Sequence, residues 1–191
     1  QQIYLAAHAL VRTVLSRYGA VDPASWRFTA NAYGRPEILS PVEHGLLRFN
    51  LSNTSGMVAC AVARDREIGI DVENIHRRAA TVRIADRYFS RSEAAALRAL
   101  PEPMQHARFF EYWTLKESYI KARGMGMSLP LAQFSFALGP GSAARISFDP
   151  RLPDDPGSWQ FVQLRPSAQH MVAVALRRRH EPDLELLVRP T

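Results

Sequence analysis

The chain has a single cysteine and no long apolar run. Cys60 stands alone among 191 residues, which excludes an internal disulfide and a zinc site built from several cysteines. Its apolar neighbours at 57–62 favour a buried thiol over a nucleophile. No apolar stretch reaches the ~20 residues that a membrane-spanning helix needs. We therefore expect no membrane segment, and a lone cysteine fits the cytoplasm, where thiols stay reduced.

The sequence also lacks a dense lysine- and arginine-rich block with interleaved aromatic residues, so nucleic acid is not the expected partner. Its formal net charge of +6 suits an anionic partner such as a phosphorylated cofactor or an acidic protein. An apolar fraction of 47% indicates a globular protein. No signal peptide is visible; because the chain opens with Gln1 inside a helical pattern, we expect further residues upstream.

The hydrophobic periods predict an α+β fold. Ser90 and Glu93 have the spacing of a helix N-cap and its acidic partner, and the strands at 57–63 and 67–73 are predicted to form a hairpin. The predicted elements are helices at 3–18, 82–88, 90–100 and 105–122, and strands at 26–29, 47–52, 57–63, 67–73, 134–138, 144–148, 159–164 and 171–176.

The order helix, strands, helices, strands could be one pattern repeated once. We predict two halves, residues 1–75 with a helix and antiparallel strands, and residues 76–191 with helices and then antiparallel strands. No sequence repeat between the halves supports this division. Prolines at 101 and 103 interrupt the helical pattern before the long third helix of the second half.

Two carboxylates, Asp71 and Glu73, lie on one face of a predicted strand together with Gly69. Two acids at this spacing repel each other unless a positive charge lies between them. An isolated pair of this kind is most often a solvated strand face, but Gly69 would leave room for a ligand to approach the backbone. Oxygen ligands of this type suit Mg²⁺ or Mn²⁺.

Glu117 and Lys121 lie one helical turn apart on the predicted helix at 105–122. The commonest reason for such spacing is a solvent-exposed ion pair. However, Glu117 falls between Trp113 and Ile120 in an otherwise apolar stripe, and burying a charge without a partner is costly. A metal would account for Glu117, and a phosphate would account for Lys121.

Two further segments offer groups that bind phosphate. Arg35 lies in the predicted turn at 31–36, where its guanidinium could fork onto a phosphate, although a surface arginine explains it equally well. The polar residues 52–56 form a predicted loop whose hydroxyls and backbone N–H groups could bind an oxyanion. Polar loops are common, so this second signal is weak.

The motifs together resemble a known family, the 4′-phosphopantetheinyl transferases, in the larger surfactin-type branch that is a pseudo-dimer within one chain. The resemblance implies two similar α/β halves with the active site between them, and a monomer. The motifs span residues 31–126 and read Asn31-x-Tyr33-Gly34-Arg35-Pro36, Phe49-Asn50-Leu51-Ser52, Ile68-Gly69-Ile70-Asp71-Val72-Glu73, Phe89-Ser90-x-x-Glu93 and Trp113-x-x-Lys116-Glu117-Ser118-x-x-Lys121-x-x-Gly124-x-Gly126.

The resemblance implies transfer of the phosphopantetheine arm of coenzyme A to a serine of an apo acyl or peptidyl carrier protein, with Mg²⁺ and release of adenosine 3′,5′-bisphosphate. Asp71, Glu73 and Glu117 correspond to the metal-binding carboxylates, and Glu117 also to the general base. Lys121 corresponds to the lysine that contacts the pyrophosphate and assists the leaving group. The implied coenzyme A contacts are Arg35, Asn50, Ser52, Asn53 and Lys121.

Two features depart from the family pattern. Position 53 is Asn where the family usually has His, and the chain begins after the segment in which relatives place basic residues for the 3′-phosphate. Arg12 could substitute for these or have a structural role. Two other functions stay open: a catalytically degenerate module that binds a carrier protein or a nucleotide, and a Mg²⁺-dependent phosphohydrolase or nuclease.

Overall fold

A computed structural model describes residues 2–77, 81–139, 143–179 and 181–190. Its regular elements follow the predicted order of helix, strands, helices and strands, so the mixed helix and strand content is confirmed. They are helices α1 Gln2–Gly19, α2 Thr81–Tyr88, α3 Arg91–Arg98 and α4 Glu102–Arg123, and strands β1 Arg27–Ala30, β2 Pro36–Ser40, β3 Leu47–Thr54, β4 Met57–Arg64, β5 Ile68–Asn74, β6 Phe134–Ala137, β7 Arg145–Phe148, β8 Trp159–Ser167 and β9 His170–Arg177.

Helix α1 packs on the antiparallel pair β3–β4, in which Leu47 lies opposite Arg64. Its buried residues Val11 and Leu15 recur at helical spacing and join Trp26 in a small core. The indole N–H of Trp26 donates to Ser16 Oγ at 2.9 Å, so the one polar atom of this buried ring is satisfied.

Helix α4 packs across the sheet β5–β9–β8, and this contact forms the main core. Phe109, Phe110 and Tyr119 of the helix are almost completely buried. The two strand faces alternate as predicted: Ile68, Ile70 and Val72 enter a second apolar cluster on the side away from α4.

The predicted hairpin of 57–63 with 67–73 is wrong. Strand β4 pairs with β3, whereas β5 pairs antiparallel with β9, with Asp71 opposite Ala173. The local turn signal at 64–66 shows where the chain bends but not which strand will be its neighbour. Strand β5, which the sequence places in the first half, is therefore bonded to the last strand of the second half.

The other edge of β5 is bound by side chains of β3 rather than by its backbone. Because side chains two residues apart share a strand face, three alternate residues of β3 can reach this edge. The bonds run from Ile70 N–H to Asn50 Oδ1 at 2.9 Å, from Val72 N–H to Ser52 Oγ at 3.1 Å and from Asn74 N–H to Thr54 Oγ1 at 3.2 Å.

Helix α4 begins at Glu102, three residues earlier than predicted, because Pro103 lies in its first turn, where no intrahelical N–H bond is lost. It ends at Gly124, which adopts a left-handed φ of 64° as a predicted helix stop. Strand β2, after the turn at 31–35, is not predicted by the sequence pattern. Residues 53 and 54 are predicted as loop, whereas β3 continues to Thr54.

A buried ion pair joins α3 to α4. Lys116 Nζ lies 2.7 Å from Glu93 Oε2, and both side chains are at most 1% exposed. Glu93 completes the predicted capping box with Ser90. Lys116 also donates to the carbonyls of Leu131 and Phe134, so its ammonium is fully bonded away from water.

Candidate active site

The candidate site is built on a close contact between strand β5 and helix α4. A Cβ on Gly69 would lie 2.0 Å from Ser118 O and 2.4 Å from Ala122 N. The expectation that Gly69 leaves room for a ligand is therefore wrong, because the backbone of α4 fills that space. The same contact brings Asp71 and Glu73, which follow two and four residues later on β5, against helix α4.

Lys121 and Asp71 form an ion pair at the centre of this contact, with Lys121 Nζ 2.6 Å from Asp71 Oδ1. Ser52 Oγ accepts from the same ammonium at 2.9 Å and donates to the same carboxylate oxygen at 3.0 Å. The Asp71 carboxylate and Ser52 are buried, whereas the Lys121 side chain is 26% exposed. The helical spacing thus does not decide the partner of Lys121, which is a strand residue rather than its helical neighbour Glu117.

Glu117 lies near both strand acids. Burial, followed by the charge of Asp71, raises the pKa of Glu117 to about 7; Lys121 opposes the shift and Glu73 adds to it. A carboxyl with a pKa near neutrality can exchange a proton at physiological pH, as a general base must.

Glu73 is held by a residue that the sequence analysis did not assign to the site. The indole N–H of Trp113 donates to Glu73 Oε1 at 3.1 Å, and Arg77 lies 3.6 Å from the same oxygen. Burial and the neighbouring Asp71 raise the pKa of Glu73, and the contacts with Arg77 and Trp113 reduce this shift. Trp113 precedes Glu117 by four residues on the predicted helix, and this spacing indicates that the two side chains share one helix face.

The three predicted metal ligands, Asp71, Glu73 and Glu117, are close enough for their charges to interact. In the present side-chain positions, however, no three histidine, cysteine, aspartate or glutamate side chains in the described ranges are grouped so that they could hold an ion. The residues nevertheless fit a divalent cation, because Oδ2 of Asp71 is buried without a hydrogen-bond partner. An oxygen of that kind, beside two further carboxylates, matches the donor set that Mg²⁺ prefers.

Arg35 lies at the C-terminal end of α4, on a turn that Asn31 shapes. Asn31 Oδ1 accepts from the backbone N–H of Arg35, and Asn31 Nδ2 donates to Gly124 O at 2.9 Å. Arg35 Nη1 donates to Ala122 O at 2.8 Å. These bonds satisfy carbonyls that the helix end leaves free, and the cation complements the helix dipole.

One cavity is lined by both predicted catalytic residues and by two further predicted coenzyme A contacts. It has a volume of about 310 Å³, and its walls include Arg35, Asn50, Glu117 and Lys121. Two of these residues come from the first predicted half and two from the second. Lys121 borders the cavity and forms the ion pair with the buried Asp71.

A second cavity, of about 600 Å³, is lined by Asn53, Glu73 and Arg77, among others. Asn53 is exposed at the end of β3, one residue beyond the buried Ser52. The predicted site residues are therefore divided between two cavities. Asn53 and Glu73 line the second cavity, whereas Arg35 and Lys121 line the first.

Arg12 has a structural role. Its guanidinium donates to Pro23 O at 3.0 Å and to Trp26 O at 2.6 Å, and it lies over the ring of Phe28. These contacts fasten α1 to the segment that follows it. They explain the position of Arg12 without a phosphate.

Comparison with known proteins identifies the family. The family model of the 4′-phosphopantetheinyl transferase superfamily matches residues 67–175, which include β5 and α4. The chain belongs to this superfamily. The resemblance found in the sequence motifs is confirmed.

The chain is similar to surfactin-type members of this superfamily. It is 32% identical over 173 residues to the 4′-phosphopantetheinyl transferase HetI of Nostoc sp. strain PCC 7120, which covers 91% of this chain and 70% of the relative. It is 38% identical over 135 residues to the 4′-phosphopantetheinyl transferase Sfp of Bacillus subtilis strain 168, which covers 70% of this chain but 57% of that relative.

Among solved structures, the chain is similar to the holo-[acyl-carrier-protein] synthase of Thermotoga maritima. The TM-score is 0.46 at 18% identity, and the match covers 58% of this chain and 62% of that one. Among the described residues, no helix is both long and apolar enough to cross a membrane.

Proposed function

We propose that this chain transfers the 4′-phosphopantetheine arm of coenzyme A to a serine of an acyl or peptidyl carrier protein, with Mg²⁺ or Mn²⁺, and releases adenosine 3′,5′-bisphosphate. The observation that carries the proposal is the single cavity lined by Arg35, Glu117 and Lys121 beside the buried Asp71. Membership of the superfamily supports the same reaction.

Glu117 is proposed as the general base. A serine hydroxyl is a poor nucleophile until its proton is removed. In the metal-free protein the pKa of Glu117 is raised to about 7, in the range that suits a general base. Because Glu117 and Lys121 line the same cavity, the base and the positive charge would both face a phosphoester bound there.

Lys121 is proposed to contact the pyrophosphate and stabilise the leaving group. An ammonium has three N–H donors, and two of them are used by Asp71 and Ser52. The third is available to a phosphate oxygen. Arg35 keeps N–H groups beyond the one that binds Ala122 O, so its guanidinium can serve a second phosphate oxygen.

Asp71, Glu73 and Glu117 are the proposed metal ligands. A divalent cation held there would supply charge neutralisation at the pyrophosphate oxygens. Trp113 would orient Glu73 for this task, as hydrogen-bonded neighbours orient metal ligands generally. Attack at phosphorus then requires mainly positioning and neutralisation of charge.

The remaining expectations are part of the same proposal. Asn50, Ser52 and Asn53 are proposed near coenzyme A, residues 1–75 and 76–191 are proposed as the halves of a pseudo-dimer, and the protein is proposed to act as a cytoplasmic monomer. The antiparallel pairing of β5 with β9 supports a close association of the two halves. The net charge of +6 would attract an acidic carrier protein.

The test is incubation of the full chain with coenzyme A, Mg²⁺ and several apo carrier proteins, followed by intact-protein mass spectrometry. We expect a carrier serine to gain the phosphopantetheine arm. Glu117→Gln should abolish transfer and keep the fold, whereas Glu111→Gln, on the same helix in a partly exposed pair with Arg108, should not affect transfer. If no carrier gains mass, the proposal fails; cleavage of coenzyme A without a modified carrier would favour a phosphohydrolase.

A further inference from the structure

The hydroxyl of Ser52 has its whole hydrogen-bonding capacity in use. It donates to Asp71 Oδ1 at 3.0 Å, and it accepts from Val72 N–H at 3.1 Å and from Lys121 Nζ at 2.9 Å. A serine hydroxyl offers one donor and two acceptor sites, so a new bond to a ligand would require the loss of one of these three. Ser52 is also only 7% exposed.

The two oxygens of Asp71 are in different environments as a result. Oδ1 is bonded by Ser52 and by Lys121, whereas Oδ2 is buried and has no partner. A buried carboxylate oxygen without a donor is costly unless a cation serves it. The bonds to Oδ1 also fix the orientation of the carboxylate.

Ser52 reaches this position from a different part of the chain than the groups it orients. It lies on β3, Asp71 lies on β5 and Lys121 lies on α4, so one hydroxyl joins three elements. Its bond to Val72 N–H belongs to the series in which Asn50 and Thr54 bind the same edge of β5. Of these three side chains, Ser52 is the one bonded to both Asp71 and Lys121.

We propose that Ser52 is a positioning residue for the transfer reaction: it holds Lys121 on Oδ1 of Asp71 and thereby keeps Oδ2 for the divalent cation. The inference rests on the proposed function, since it concerns the same site. It differs from a role for Ser52 in binding coenzyme A, which would draw the hydroxyl out of this arrangement.

The test compares three variants of the full chain: Ser52→Ala, Ser52→Thr and Thr54→Val. Mg²⁺ affinity is measured by calorimetry, and kcat and the KM for coenzyme A are measured by carrier modification. Ser52→Ala should weaken Mg²⁺ binding and lower kcat, each by about 10-fold, with KM near the wild-type value. Ser52→Thr keeps the hydroxyl and should restore both.

Thr54→Val is the matched control, because it removes the same kind of bond to β5 without touching Lys121 or Asp71. It should lose stability but keep Mg²⁺ affinity and kcat. If Ser52→Ala and Thr54→Val weaken Mg²⁺ binding equally, loosening of the strand contact is the cause and the inference is overturned. A raised KM for coenzyme A with unchanged Mg²⁺ affinity also overturns it.

Two outcomes separate the inference from the proposed function. If the wild type modifies no carrier but Ser52→Ala still weakens Mg²⁺ binding, the positioning role in the metal site stands and the transfer reaction fails. If the wild type binds no Mg²⁺, the inference fails.

If Ser52→Ala does not fold, Ser52→Cys serves in its place, because a thiol is a weaker hydrogen-bond donor of similar shape. Ser52→Thr should then bind Mg²⁺ more tightly than Ser52→Cys. Equal affinity of these two variants would overturn the inference.

Discussion

Gly69 of β5 lies so close to Ser118 of α4 that a Cβ on the glycine would be 2.0 Å from the serine carbonyl oxygen. At this point the strand and the helix are in backbone contact. Because Asp71 follows two residues later on the same strand face, the contact determines how closely it approaches Lys121. The ion pair of the candidate site thus depends on a residue that has no side chain.

Gly69→Ala should therefore destabilise the protein by about 3 kcal/mol or more, since the added methyl meets backbone atoms that cannot rotate away. Urea unfolding measures the loss. Gly34→Ala is a suitable control: its φ of +83° imposes backbone strain, but nothing lies within 4 Å of the new Cβ, so about 1 kcal/mol is expected. Equal losses for the two variants would show that close packing at Gly69 is not required.

Glu117 predicts a pH dependence of stability in the metal-free protein. Its pKa is raised from 4.5 to about 7 in the folded chain, so between these pH values the folded state binds more protons than the unfolded state. The free energy of unfolding should consequently fall as pH rises through this window. Glu117→Gln removes the effect, so its melting temperature should fall less between pH 5 and pH 8 than that of the wild type.

Mg²⁺ should offset this loss of unfolding free energy at pH 8, because a ligand that binds the folded state stabilises it. The wild type should melt higher with Mg²⁺ than without, and Glu117→Gln should gain less. Parallel melting curves for the two proteins at every pH, with or without Mg²⁺, would refute the coupling of Glu117 to the other carboxylates.

Trp113→Phe tests the orientation of Glu73. The variant keeps an aromatic ring against Phe109 but loses the indole bond to Glu73 Oε1. We expect about 10-fold weaker Mg²⁺ binding, measured by calorimetry. Trp159→Phe removes an equivalent indole bond, to Asp154 Oδ2, outside the site; it should affect stability alone. The role of Trp113 is refuted if the two variants bind Mg²⁺ equally well.

Lys116→Met tests the buried pair behind the site. Removal of the ammonium leaves Glu93 charged in the core, which should cost about 3–5 kcal/mol of unfolding free energy. Adding Glu93→Gln to this variant removes the stranded charge and should recover part of the loss. The exposed pair of Arg151 with Asp149 supplies the contrast, and Arg151→Met should have no measurable effect in the same denaturation experiment.

Much of the site could be predicted from local patterns. The alternation of side chains placed Asp71 and Glu73 on one face of β5, and the helical period turned Glu117 toward the interior. The residues around Ser90 and Glu93 predicted a helix start because a capping box needs only four consecutive residues. Each of these predictions depends on neighbours within one or two turns of chain.

Other features were beyond such patterns. The partner of β5 is β9, about a hundred residues away, although a turn signal favoured β4. The space beside Gly69 is filled by α4 rather than left for a ligand. Glu93 meets Lys116 through packing between two helices, and no spacing in the sequence indicates that contact.

The sequence by itself determined the family, the order of helices and strands, and the residues that carry charge into the interior, because motif order and side-chain period are properties of the chain alone. The tertiary structure decided which charges meet. Asp71 and Lys121 are 50 residues apart, and their contact exists only because β5 and α4 pack backbone against backbone at Gly69. Ser52 joins them because its strand, β3, reaches β5 through side-chain hydrogen bonds rather than through a local turn.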